Sequence, residues 1–209
     1  MKLYLKTIKY TQEILLGISI LILMVLPSFL VFQMDQINDA FIQKLYAFSH
    51  ISLFFVMMIR PLADIFLQTK WLRPLVILRK GVGVFSASII VSFILEKVII
   101  SPSEFFSSIL TLLYWSMNNW AVFAHLADMS AILLLITSNN LSKKILGSWW
   151  KKIQKLSYVY FYGSALYVYL SYKDTHLLYA MILVTVVTAW AYLKNRKRRL
   201  ESLATDKTI

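Results

Sequence analysis

Three histidines, His50, His125 and His176, are the side chains of this sequence best suited to ligating iron or passing protons near neutral pH. Histidine pairs hold haem between helices, so a haem b on His50 and His125 is the redox chemistry open to the chain. His125 stands three residues before Asp128, a spacing that puts both on one helix face. An imidazole and a carboxylate so placed within a membrane face the bundle interior or water. They can join helices through a hydrogen bond, relay protons or hold the polar edge of a cofactor, and the helix-joining pair is the reading we favour. His176 follows Lys173, Asp174 and Thr175 and reads as a solvated loop residue. The absence of cysteine excludes disulfides, iron–sulfur clusters and thiol chemistry. No glycine-rich phosphate loop, Ser/His/Asp set or metal-ligand cluster is present, so no metal site is expected.

These groups must be positioned by a membrane bundle. Of 209 residues, 59% are apolar and only 15% charged, where a soluble domain is nearer half and a quarter. A chain of this size cannot hide so much apolar surface in one core, and lipid must be its main partner. Six apolar runs of spanning length are read: Ile14–Phe32, about Ala40–Leu67 with a kink near Arg60-Pro61, Val82–Ile100, Trp120–Ile136, about Ile153–Leu170 and Leu177–Leu193. The first follows Lys2, Lys6 and Lys9 but lacks a small-residue cleavage site, so it reads as a retained anchor. The expected fold is an all-α six-transmembrane-helix bundle over residues 14–195, with a cytoplasmic N-terminus (1–13) and a basic cytoplasmic tail (196–209).

Charge sets the orientation. Basic residues crowd the N-terminus, the second-to-third connection (Arg60, Lys70, Arg73, Arg79, Lys80), the fourth-to-fifth connection (Lys143, Lys144, Lys151, Lys152, Lys155) and the tail from Lys194. Only Lys44, Lys97 and Lys173 remain for the other side. That alternation is the positive-inside pattern of an N-in, C-in protein of a bacterial inner membrane. It also accounts for the net charge of +12 without nucleic acid. Ser101-Pro102-Ser103-Glu104 reads as a capping box opening a short interfacial helix, Phe105–Trp115, before the fourth span. Ser202–Ile209 reads as disordered.

Two spans have a distinct character. The third carries Gly83, Ser86, Ala87, Ser88 and Ser92, and small residues at four-residue spacing let helices approach closely. The fifth is rich in tyrosine (Tyr158, Tyr160, Tyr162, Tyr167, Tyr169), a residue of membrane interfaces and packing. Asn118, Asn119, His125 and Asp128 form the one polar cluster that a small transporter would need near the midplane.

Three stretches in order resemble the ferric reductase-like transmembrane family: Ile59-Arg60-Pro61-Leu62-Ala63, then Arg79-Lys80-Gly81-Val82-Gly83, then Thr137-Ser138 followed by Leu146-Gly147-Ser148-Trp149-Trp150 through Tyr158. The resemblance runs from about Ile59 to Lys194 and is nearest the MsrQ type, haem-binding membrane subunits that feed electrons to a periplasmic methionine sulfoxide reductase. It implies a six-helix bundle with haem on histidines of the third and fifth spans. The matching positions here are Phe93, Gln154 and Tyr167, the last two about 20 Å apart along one helix. Phenylalanine cannot ligate iron and glutamine does so poorly. Arg60 also replaces a small polar residue of the family's Ile-Thr-Pro-Leu. The resemblance with its ligands lost implies a haem-less scaffold or partner subunit, without a resident cofactor. The alternative is an electron carrier with haem b on unusual ligands, passing electrons from a cytoplasmic or quinone donor to a periplasmic or membrane redox partner.

Overall fold

Backbone in lipid has no water to bond, so long apolar runs fold as helices that satisfy their own N–H and C=O groups. The computed structural model describes residues 1–33, 38–117 and 120–205, and among these it contains helices and turns with no strand. The helices are α1 (Lys2–Phe32), α2 (Asp39–Ile65), α3 (Leu72–Leu75), α4 (Leu78–Ile100), α5 (Pro102–Ile109), α6 (Ala121–Thr137), α7 (Asn140–Leu146), α8 (Ser148–Ile153), α9 (Leu156–Tyr172) and α10 (Thr175–Thr205). Among the described residues four stretches are long and apolar enough to cross a membrane: α1, α2, α3–α4 and α10. The count rises to five if α6 and α7, bent by 96° at their junction, are taken as one span.

Several elements differ from their sequence-based bounds. α1 begins at Lys2, because nothing in the lysine-bearing segment before Ile14 breaks a helix. Pro61 lies inside α2, which runs on to Ile65. α4 starts at Leu78 and so carries Arg79 and Lys80 on its first turns. Arg79 Nε donates to the carbonyl of Val56 on α2 at 2.9 Å, next to the ladder that Pro61 interrupts. Ser101 is the N-cap of α5 but makes no side-chain cap bond, so the capping box does not form. α5 ends at Ile109 and turns follow it, so Phe105–Trp115 is not one helix. Ile153 and Gln154 close α8 and lie outside α9. The basic tail is helical as far as Thr205, which overturns disorder for 202–205, while 206–209 lie outside the described residues.

Packing follows the small residues. α1 lies along α4, α6 along α9, and α2 against both α4 and α10. On α4, Ser86, Ala87, Ser88 and Ser92 are buried, as is Ser19 on the facing α1. A Cβ on Gly81 would stand 3.2 Å from Leu15 Cβ and 3.3 Å from Gln12, which brings the N-terminal part of α1 against α4. A Cβ on Gly163 of α9 would stand 2.9 Å from the carbonyl oxygen of Phe123 on α6, so these two backbones touch. The core between them is built by Leu53, Met57, Ala127, Ala131, Phe161 and Val184. At the far end of α2 the last-turn carbonyls, which no helix can satisfy for itself, take donors from α10. Lys194 Nζ reaches Ile65 O at 2.8 Å and Arg198 reaches Asp64 O at 2.9 Å.

The α6–α9 contact is testable by one methyl group. Gly163→Ala should destabilise the protein by about 1–3 kcal/mol, because backbone rather than a flexible side chain must move. Gly17→Ala, where a Cβ meets nothing within 4 Å, should be neutral. Thermal unfolding in detergent reads both, and equal melting temperatures for the two variants would show that α6 and α9 do not touch there.

Candidate functional site

The starts of α2, α6 and α10 and the ends of α4 and α9 lie at one end of the bundle, as antiparallel neighbours must. Between them is a chamber of about 1370 Å³. Its polar wall holds all three histidines, His50, His125 and His176, together with Asp128 and Lys97. Asp39 and Asp174, at the beginnings of α2 and α10, line it too. The rest is largely aromatic and aliphatic, including Tyr46, Phe54, Tyr114 and Tyr167. His50 sits about 16 Å along α2 from Asp39, so the chamber reaches deep between the helices.

A polar knot lies at the depth of His50. Ser49 Oγ donates to Ser86 O at 3.1 Å, and Ser86 Oγ donates back to Ser49 O at 3.0 Å. The Tyr160 hydroxyl stands 3.3 Å from Ser49 Oγ and 3.1 Å from Ser86 Oγ. Three buried hydroxyls thus tie α2, α4 and α9 together without leaving an oxygen unpaired, which is what a low-dielectric interior demands. Tyr160 also lines the chamber, and Ser49 adjoins His50. Ser86 had been legible as a small packing residue; its role as a hydrogen-bond donor, and Ser49 opposite it, had not.

His50 is set by its own helix. Its Nδ1 lies 2.8 Å from the carbonyl of Tyr46, one turn back. A carbonyl can only accept, so Nδ1 carries the proton. In a neutral ring Nε2 then presents a lone pair. That nitrogen is buried, and among the described residues no group donates to it.

His125 and Asp128 share a face of α6 and both line the chamber, but no hydrogen bond joins them. His125 instead stacks on Tyr114, with ring centroids 3.5 Å apart and planes 16° apart, and meets the edge of Trp115 at 6.1 Å. This stack fastens the turns after α5 onto α6. Burial, and then the Asp128 carboxylate, push the Tyr114 phenol above its ordinary range, so it stays protonated. His176 is exposed in the first turn of α10, where its backbone N–H donates to the Asp174 carboxylate at 2.9 Å. It faces the chamber, which its loop-like sequence context had hidden. Asn118 and Asn119 lie outside the described residues.

The three positions where the family resemblance expects haem ligands do not converge. Phe93 is buried with Leu30 and Ile89, and its ring stacks on Tyr46 at 4.4 Å. Gln154, beyond the start of α9, reaches Thr137 Oγ1 at 3.5 Å at the opposite end of α6 from Tyr114. Tyr167 alone lines the chamber. Among the described residues no group of three histidine, aspartate or glutamate side chains is arranged to hold a metal ion. Comparison with known protein families, with characterised proteins and with solved structures finds no match to this chain.

The knot predicts a modest, measurable loss. Tyr160→Phe removes one hydroxyl and should cost about 0.6 kcal/mol, at most about 1.7, the range for hydrogen bonds between membrane helices. A melting temperature equal to that of the native protein would mean the knot holds nothing.

Proposed function

We propose that the chain is a six-span, N-in, C-in protein of a bacterial inner membrane, acting as a haem-less scaffold or partner subunit whose chamber is a ligand site. The observation that carries this reading is the chamber itself, a space of ligand size with aromatic walls and a few convergent polar groups. The span count rests on α6 and α9, each 17 residues, about 25 Å, which is the short end of what a bilayer accepts. Further support comes from the connection between them. α7 turns away from α6 as a surface helix would, and Lys152 lies 4.0 Å from the Trp149 ring in the pattern of a membrane interface.

A ferric reductase-like ancestry fits the order of the motifs, and under it the usual haem ligands have been lost, with only one of their positions, Tyr167, on the chamber. The alternative reading is an electron-transfer subunit with haem b. One feature favours it: His50 has Nδ1 anchored on a backbone carbonyl and a buried Nε2 without a partner among the described residues, as a hydrogen bond on the other nitrogen would orient a ligating imidazole.

Two measurements bear on these readings. The first is a visible spectrum of detergent-purified protein, oxidised and dithionite-reduced, from cells given haem precursor. It should be featureless. A Soret band with sharp reduced α and β bands at stoichiometric haem would replace the haem-less reading with the electron-transfer one, and His50→Ala should then abolish the bands.

The second exploits the lack of native cysteine. Lys173→Cys should react with an impermeant maleimide in intact cells, and Lys152→Cys only after permeabilisation. The reverse pattern would invert the topology.

A further inference from the structure

We infer that the chamber binds an apolar ammonium cation, with the Asp128 carboxylate as its counter-charge. This rests on the reading of the chamber as a ligand site and adds the charge its occupant carries. The lining differs from the rest of the chain in sign. The chain carries +12, with 22 Lys and Arg against 10 Asp and Glu. On the chamber the balance is reversed: among the described residues Asp39, Asp128 and Asp174 line it against a single lysine, Lys97, and no arginine. A cleft of one sign with low-dielectric walls focuses its field inward. This space therefore favours a cation, although the molecule as a whole attracts anions.

Asp128 is the acid placed to meet it. Asp39 and Asp174 stand at the mouth, where α2 and α10 begin, and Asp174 already accepts the backbone N–H of His176. Asp128 lies deeper, about 10 Å along α6 from its start. Among the described residues it makes no hydrogen bond, and Lys97 acts on it from a distance without forming an ion pair. Its oxygens are open to the chamber: the sealed side-chain atoms left without a partner are His50 Nε2 and Thr188 Oγ1, not those of Asp128. An ionisable group between membrane helices is expensive and is paired or faces a water-filled space. The protein supplies no partner here, and an occupant can.

The walls select the kind of cation. Tyr46, Tyr114 and Tyr167 line the same space and lie within electrostatic reach of Asp128. Tyr46 is held flat on Phe93, with 9° between the planes, and Tyr114 on His125. Tyrosine rings attract ammonium groups, more strongly where water is excluded. Phe54, Ile90, Ile94 and Leu183 supply lining for an apolar body. A bare metal ion would need several oxygen ligands together, and among the described residues no such group exists.

The test uses the full chain in phosphatidylcholine nanodiscs, which carry no net charge, at pH 8, above the ordinary range of histidine. Two tritiated probes share one body and differ in sign: (2-naphthylmethyl)trimethylammonium and 2-naphthylmethanesulfonate. Empty nanodiscs correct for partition into lipid. Saturable binding of the ammonium, at least tenfold tighter than the sulfonate, is expected. Asp128→Asn should weaken the ammonium at least tenfold, and Asp128→Glu should recover part of the loss. Lys97→Gln, which removes the one lysine of the lining, should leave ammonium binding as tight or tighter. Melting curves show which variants are folded, and the preference of the native protein is read without any variant. A sulfonate bound as tightly as the ammonium would overturn the cation while leaving the chamber a ligand site. Saturable binding of neither probe would overturn both readings. Full ammonium affinity in folded Asp128→Asn, or a loss in folded Lys97→Gln, would overturn the assignment of the counter-charge.

Discussion

Two serines and a tyrosine hold the middle of this molecule. Apolar surface cannot drive helices together in lipid, because hydrocarbon solvates leucine as well as leucine does. What remains is close packing and hydrogen bonds that have no other outlet. The Ser49–Ser86–Tyr160 knot provides both. Each serine is small enough to bring two backbones within reach, and each hydroxyl bonds the other helix's carbonyl. Tyr160 then spans to a third helix. With α2, α4 and α9 fixed at one depth, the helices are free to spread above it, and the chamber occupies that spread. His50, next to Ser49, inherits its position from the knot.

Away from the knot, the bundle is joined by contacts that need the absence of a side chain. Gly81 admits α1 to α4, and Gly163 admits α6 to α9. The outer surfaces of α1 and α10 carry exposed large side chains such as Leu21, Met24, Val186 and Trp190, the composition expected of a lipid-facing perimeter. Outside the knot and the chamber, buried hydroxyls such as Ser19, Ser88 and Ser92 bond carbonyls of their own helices.

Much of the helical framework was legible because it depends on long apolar runs, which only helices can carry in lipid. Small residues on α4 announced close packing for the same reason. The site was only partly legible. His50, His125 and Asp128 stood out as ionisable residues in apolar surroundings, and all three line one space. His176 did not, because a residue in a short polar connection reads as solvated until α10 is known to begin beside it. Nor did Tyr114 signal its place over His125, since the turns after α5 fold back in a way no periodicity encodes. Gln154 and Tyr167 looked like two positions on one helix. Two consecutive breaks, at Gly147 with φ 50° and after Ile153, put Gln154 elsewhere. The connection from α6 to α9 was therefore the least readable part, because short basic helices at an interface carry the same residues as a loop.

The closure of α2 by Lys194 and Arg198 has a consequence in time. The carbonyls of Ile65 and Asp64 are made 129 and 134 residues before their donors. Until α10 arrives, that terminus has only water or lipid head groups to bond. The second helix is thus completed by a much later one, and a nascent chain stalled before Lys194 exposes an unfinished helix end at the membrane surface.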